Sequence, residues 1–327
     1  AYYLYDEYMK ARDPNTKLGT WVYTQARKTK ERPADESDPE YTFYFYGDRA
    51  LHNFSELETP DFKPLEGKDL FSSGFNKTVY VAFTSMALSM AHDLEESDPE
   101  LSAYFKNTAV EGMIAYANYA YVPEKNIFKA MWTNGMDMTN YELQRFGYFG
   151  NKGDIIQPYP GEIAFLTSYV KAYKEQPDAA LWELARNITA ANGYGDIGIA
   201  PGENVNLNFG TSSSATSVIF PFVNLYFLSG CDDYLEMART IGDNYLKIGI
   251  SNGYMTGGKQ DVYVRFGNER PLALLAIEAA AMGREDLVDT YYFGSGGFSV
   301  RRRKRTQYHK QYGRLEPAAL QGLSEGY

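Results

Sequence analysis

Four short polar connectors punctuate this chain, and each interrupts apolar runs with helical spacing. They read EESDPE (Glu95 to Glu100), KEQPDA (Lys174 to Ala179), SGCDD (Ser229 to Asp233) and MGRED (Met282 to Asp286). Between and after them lie long connectors rich in glycine and aromatic rings: GYFGNKGD (Gly147 to Asp154), GYGDIGIAPG (Gly193 to Gly202), SNGYMTGGKQD (Ser251 to Asp261), YVRFGNERP (Tyr263 to Pro271) and YYFGSGGF (Tyr291 to Phe298). Short alternating with long is the signature of a repeated helical hairpin. One hairpin cannot bury its own apolar face, so neighbours stack around a shared core. The expected fold class is therefore mainly α, an α/α toroid of helical hairpins with small antiparallel β arms. The long connectors of a toroid gather at one end, where a site forms on the loops.

Helices are expected over Thr78 to Leu94, Asp98 to Tyr121, Glu162 to Tyr173, Gln176 to Ala191, Ala215 to Leu228, Asp232 to Ile248, Leu272 to Ala281 and Glu285 to Thr290. Asp98-Pro99 and Pro177-Asp178 mark two of the starts, since proline suits a first helical turn. Residues 1–13 read as a helix ended by Asp13-Pro14. LGTWVYTQ (Leu18 to Gln25) and YTFYFY (Tyr41 to Tyr46) read as strands flanking a charged loop, a candidate arm over a cleft. The expected layout is one toroid domain over 1–299, with the β arm within 18–54. The basic run Arg301 to Arg305 marks 300–327 as a solvated tail.

Tyrosine makes up 29 of the 327 residues. A ring with a polar tip suits a sugar, which has an apolar face and a hydroxyl rim. The net charge of −10 argues against nucleic acid. No apolar run approaches transmembrane length, so no membrane partner is expected. The opening AYYLYDEYMKARDP has neither a basic nor an apolar leader region and does not read as a signal peptide. The start at Ala1 is expected of a processed chain or fragment, with catalytic residues then lying upstream. A single cysteine, Cys231, excludes an intrachain disulfide and reads as a small turn residue. Localisation is expected to be periplasmic or cytoplasmic, and the chain a monomer. No GxxxxGK[ST], CxxC, HExxH or GxSxG occurs.

Five segments together carry a resemblance. They are YLYDEYMKARDPNTKLGTWVYTQARK (Tyr3 to Lys28), FYFYGDRALHNF (Phe43 to Phe54), LARNITAANGYGDIG (Leu184 to Gly198), YLEMARTIGDNYL (Tyr234 to Leu246) and VYVRFGNERPLALLAIEAA (Val262 to Ala280). Up to about Ser299 the chain resembles the C-terminal portion of the family 2 polysaccharide lyases, pectate lyases with an α/α toroid and β-strand arms. The resemblance implies β-elimination on polygalacturonate or oligogalacturonide, with an Arg or Lys base and a divalent ion of the Mn or Ca type. The C5 proton of a uronate is acidic only when the adjacent carboxylate is neutralised, and a metal or basic side chains do that. In that family two His and a Glu hold the metal, and the catalytic Arg adjoins one of those His. This chain has only His52, His92 and His309 and no Arg-His pair.

Lys152, in a Gly-flanked loop, and Arg265, on a strand-like segment, are the catalytic candidates. Tyr263 and Arg265 alternate, which would put a stacking ring and a carboxylate clamp on one strand face. Arg27, Lys28 and Arg270 are further candidates for substrate carboxylates. Asn206 and Asn208 also alternate and suit sugar hydroxyls, and Trp132 suits a sugar platform. His92 and Glu111, on consecutive helices, are the metal candidates, with no third ligand evident. Against these stand plainer readings: a helix-end histidine for His92, solvated loops for Arg27, Lys28 and Lys152, and a core ring for Trp182. Two rival functions remain open. One is a toroid hydrolase of unsaturated uronides using Asp137, Asp154 or Asp196. The other is a non-catalytic module that binds acidic glycans.

Overall fold

The computed structural model describes residues 12–19, 71–72, 79–132, 135–142, 153–251, 254–255 and 269–288. Seven α-helices carry the fold among them: α1 (Thr84–Leu94), α2 (Pro99–Ala120), α3 (Ala164–Glu175), α4 (Ala179–Ala191), α5 (Ile219–Ser229), α6 (Asp232–Gly249) and α7 (Glu269–Ala281). A π-helical turn, Val79–Phe83, leads into α1. The protein is mainly α, as expected, and its helices pack as stacked hairpins in the manner of an α/α toroid.

The starts follow from local chemistry. Asp98 Oδ1 accepts the Leu101 amide at 3.1 Å, with Pro99 at the first position of α2. Asp178 Oδ1 accepts the Ala180 amide at 2.8 Å at the start of α4. Each bond satisfies a donor that the first helical turn leaves orphaned. Gly230 ends α5 in the left-handed region at φ 71°, a C-cap that costs glycine least. The last expected helix is shorter than its pattern: after the α7 turn, Glu285–Leu287 is a single 3₁₀ turn.

α1 packs on α2, α3 on α4 and α5 on α6, while α1, α3, α5 and α7 pack on one another in succession. Side-chain bonds set the polarity of that inner row. Lys106 of α2 reaches Glu95 beyond the end of α1 (3.0 Å) and Glu175 at the end of α3 (2.8 Å). Lys174 of α3 pairs with Glu285 beyond the end of α7. The ends of α1, α3 and α7 therefore share one level, and the inner helices run parallel. The short connectors lie at that level, and the helix starts lie at the opposite end.

Short antiparallel strand pairs decorate the long connectors. β1 (Phe71–Ser72) pairs with β4 (Met131–Trp132). β2 (Tyr121–Val122), β3 (Ile127–Phe128) and β5 (Tyr159–Pro160) form a three-stranded sheet. β6 (Gly195–Asp196) pairs with β7 (Asn206–Leu207), and β8 (Ile250–Ser251) with β9 (Tyr254–Met255). A ladder of rings links the first long connector to the core: Tyr80 on Tyr116 (centroids 3.8 Å), Tyr116 on Phe128 (4.9 Å) and Phe128 on Phe165 (4.5 Å). All four rings are buried, so the ladder adds ring–ring attraction to area removed from water.

The expected helix over 1–13 and strands over 18–25 and 41–46 fall almost wholly outside the described residues, as does the 300–327 tail. What is described is a turn at 12–19 docked on α2. The Arg12 side chain, 9% exposed, donates to the Thr108 carbonyl (2.7 Å) and the Glu111 carboxylate (3.0 Å). Gly112 admits it: a Cβ there would stand 3.3 Å from Arg12 Nη1.

Candidate functional site at the mouth of the helical row

Inner helices that run parallel bring their starts to one end. The positive ends of four helix dipoles, from α1, α3, α5 and α7, therefore face the long connectors. This end is the mouth. Asparagine side chains knit it. Asn126 Nδ2 and Asn192 Nδ2 both donate to the Gly161 carbonyl at 2.9 Å, joining the first long connector to the end of α4. Tyr121 Oη donates to Asn126 Oδ1 at 2.9 Å. Asn244, near the end of α6, donates to the carbonyls of Thr211 (2.8 Å) and Ser213 (3.2 Å). Tyr194 and Ser213 share a 2.6 Å hydroxyl bond. Burial pushes the Tyr194 phenol up, so it stays a neutral hydrogen-bonding group.

Glu269 and Arg270 open α7 at the same end. Burial pushes the Glu269 carboxyl up, and the neighbouring Arg270 charge opposes that shift. Arg270 also acts on the Tyr245 phenol of α6, whose pKa is raised chiefly by burial. Half-buried titratable groups of opposite sign at a loop-lined end mark a functional-site candidate.

The second long connector does not stay at the mouth. Trp182, in the first turn of α4, donates Nε1–H to the Gly198 carbonyl at 3.0 Å. Tyr234, early in α6, donates to the Ile197 carbonyl (2.6 Å) and accepts the Gly202 amide (3.1 Å). Residues 195–206 thus run back between α4 and α6 toward the short-connector end. Gly198 makes the bend possible at φ 96°, where a Cβ would collide with the Glu203 carbonyl oxygen. The chain then returns: Asn208 pairs with Gly193 and Tyr194 beside the end of α4. The expectation that each long connector gathers wholly at one end is corrected here. Ile197 and Leu207 of this connector are buried, and Trp182 and Tyr234 anchor its carbonyls between the two outer helices.

Asp196 sits on this outer flank. Arg186 of α4 grips it with two 2.7 Å bonds, from Nε to Oδ1 and from Nη2 to Oδ2. The Arg186 guanidinium, helped by the Gly198 amide, holds the Asp196 carboxyl below the usual aspartate range. A carboxylate so held is a poor proton donor at neutral pH. Asp137 is half-exposed, spends Oδ1 on the Thr139 amide (2.8 Å) and stands 4.0 Å from Lys129 Nζ. Asp154 is exposed.

The predicted site residues separate. Lys152, Arg27, Lys28, Tyr263 and Arg265 lie outside the described residues. Arg270 lies at the mouth. Asn206 is exposed on β7, opposite Asp196 on the outer flank. Asn208 spends its amide on the loop: Nδ2 donates to the Gly193 carbonyl (2.9 Å) and Oδ1 accepts the Gly210 amide (3.2 Å). Trp132 pairs with Phe71 through the backbone of β4. Trp182 is a buried ring, as read from its helix. His92 is exposed near the end of α1, 3.6 Å from Glu95. Glu111 is half-exposed and bound to Arg12. The two are not brought together, because His92 lies near the short connector and Glu111 lies far along α2.

A family model described as periplasmic pectate lyase matches residues 1–300. The chain belongs to that family. Among curated proteins it is similar to a pectate disaccharide-lyase of Dickeya dadantii (strain 3937), 25% identical over 285 residues. That match covers 86% of this chain and 47% of the relative, so the chain spans about half the relative's length.

Among the described residues no group of three or more His, Cys, Asp or Glu is placed to hold a divalent ion. No described helix is long and apolar enough to cross a membrane. Sequence reasoning passed over Glu269, Asn244 and Phe209 at the mouth. Glu269 was legible as a carboxyl opening a helix beside Arg270. Asn244 was not, since an asparagine inside a helix gives no sign of the loop it will hold.

Proposed function

We propose that the chain is a pectate or oligogalacturonate lyase acting on α-1,4-linked galacturonate by β-elimination. Membership of the periplasmic pectate lyase family over residues 1–300 carries this reading. The mouth supports it physically. Four helix starts and Arg270 bring positive charge to that end, with the Glu269 carboxyl beside Arg270 opposing it, in a chain whose net charge is −10.

In the reaction a base takes the C5 proton and the C4–O bond breaks. The electron pair forms a C4–C5 double bond, and the leaving oxygen takes a proton. Lys152 and Arg265 are the base candidates of this reading. Arg27, Lys28 and Arg270 would pair with substrate carboxylates, which lowers the cost of charge developing beside C5. Assistance by a divalent ion is a separate part of the proposal, carried by the resemblance. The described residues offer no site for it, so no step is routed through it. The family's description also supports a periplasmic location.

The test is ultraviolet absorbance of the unsaturated uronide during incubation with polygalacturonate, with divalent ions or with chelator. A rise abolished by chelator supports lyase and metal together. A rise that chelator leaves unchanged supports the lyase without the ion. No rise with binding retained leaves a glycan-binding chain and overturns the lyase. The hydrolase reading predicts loss of the same band from unsaturated oligomers. The charged, Arg186-bound state of Asp196 disfavours that carboxyl as its acid.

A further inference from the structure

Phe209 is 42% exposed, whereas Phe105, Phe128, Phe165, Phe220 and Phe222 are buried. Single exposed apolar residues are common and need no function. Phe209 differs in how tightly its backbone is held. It follows β7, where Leu207 points into the core at 7% exposure. A turn then begins and carries the ring out to solvent. The Asn208 amide donates to the Tyr194 carbonyl (2.9 Å), and the Thr211 amide returns to the Asn208 carbonyl (3.1 Å). The Asn208 side chain binds Gly193 and Gly210. Downstream, Asn244 of α6 holds the carbonyls of Thr211 and Ser213, and Tyr194 holds the Ser213 hydroxyl. Side chains from α6, from the turn itself and from the segment after α4 thus fix four residues around one exposed ring.

A ring carried on a turn held in this way leaves less backbone freedom for binding to remove. Its face is apolar, while its surroundings are polar: Ser212 is exposed beside it. A pyranose has the complementary form, an apolar C–H face with hydroxyls around the edge. The turn also lies at the mouth, since it is tied to the end of α4 and to the end of α6. Asn244 adjoins Tyr245, which feels the Arg270 charge.

We propose that Phe209 is a sugar-stacking residue of the mouth, and that Asn208 and Asn244 are the positioning residues that hold its turn. This rests on the carbohydrate reading above and adds a subsite to it. Stacking reads the C–H face, so it serves esterified and free uronates alike, whereas Arg270 serves only the charged form.

The experiment is calorimetric titration of the whole chain with trigalacturonate, its methyl ester and a neutral galactotriose. Phe209→Ala is expected to weaken trigalacturonate and its ester about tenfold alike, and Phe209→Tyr to restore both. Phe209→Ala should still unfold in one cooperative transition, lowered by loss of the covered part of the ring, and Phe209→Tyr should match wild type. Asn244→Ala should weaken the same two ligands, and adding it to Phe209→Ala should cost nothing further, since both act through one contact. Unchanged binding by Phe209→Ala overturns the stacking role and leaves the lyase reading intact. Binding of the neutral sugar alone, still dependent on Phe209, overturns the uronate reading and supports the stacking. A wild-type chain that binds none of the three overturns both.

Discussion

The Ser102 hydroxyl donates a 2.6 Å hydrogen bond to the Ala91 carbonyl across the first hairpin. That bond sets the register of α1 against α2. His92 follows Ala91, so it stands level with Ser102. Glu111 lies nine residues further along α2. At about 1.5 Å of rise per residue, some 14 Å of helix separates their levels. A shared ion needs ligands within about 2–2.5 Å of one centre. The pair suggested by their placement on consecutive helices is therefore undone by register, which sequence spacing does not display.

Their separate partners predict separate effects. Removing Glu111 leaves the nearly buried Arg12 guanidinium short of an acceptor, so Glu111→Ala should cost about 1–2 kcal/mol. His92 is exposed, and His92→Ala should stay within about 0.5 kcal/mol. Urea midpoints of the single and double variants should add. A coupling above about 1 kcal/mol would restore a direct link between the two residues.

The ring ladder predicts opposite outcomes for two buried tyrosines. Tyr80 Oη is satisfied by the backbone of Gly19, to which it lies 3.1 Å from both amide and carbonyl. Tyr116 Oη is buried with no partner among the described residues. Tyr80→Phe should lose about 1 kcal/mol, whereas Tyr116→Phe should be neutral or stabilising, because it removes a buried hydroxyl without breaking a bond. Differential scanning calorimetry of the two variants decides it. A Tyr116→Phe loss as large as that of Tyr80→Phe would show that the hydroxyl is bonded.

The architecture was legible because it rests on local signals. Asp98-Pro99, Asp178 and Gly230 punctuate helices by chemistry confined to one turn, and the alternation of connectors follows from them. The path of residues 195–206 was not legible. It depends on Trp182 and Tyr234 donating to carbonyls of a loop distant in sequence. Asn206 and Asn208 illustrate the limit. Period-two spacing put both on one face, and the structure leaves Asn206 exposed while Asn208 is spent on its own turn. Five of the predicted site residues, Lys152, Arg27, Lys28, Tyr263 and Arg265, fall outside the described residues.

Acid should act on the outer flank through Asp196. Its folded pKa is depressed, first by Arg186 and then by the Gly198 amide, against opposing burial. A depressed carboxyl contributes stability above its unfolded pKa, near 3.9, and loses it as pH falls through the folded value. The pair is about one-third exposed, so solvent screening limits it to about 0.5–1 kcal/mol. Asp196→Asn should lower the melting temperature at pH 6, with the gap closing as pH falls through the depressed folded value. A constant gap down to pH 2 would mean that the bond, not the charge, is what holds the flank.

Glu269 should behave in the opposite sense at the mouth. Burial raises its folded pKa, and Arg270 only partly offsets this. A raised carboxyl favours the fold below its unfolded pKa, near 4.3, and that contribution is lost as pH rises through the folded value. Glu269→Gln should therefore raise the melting temperature by about 1–3 °C at pH 7 to 8, with the gain fading toward pH 4. Arg270→Ala removes the offsetting charge and should enlarge the penalty of keeping Glu269 ionised at neutral pH. If Arg270 also clamps a uronate carboxylate, the same change raises KM for polygalacturonate about tenfold or more with kcat less affected, and Arg270→Lys recovers only part. Stability lost without a change in KM would assign Arg270 to holding the start of α7 and not to the substrate.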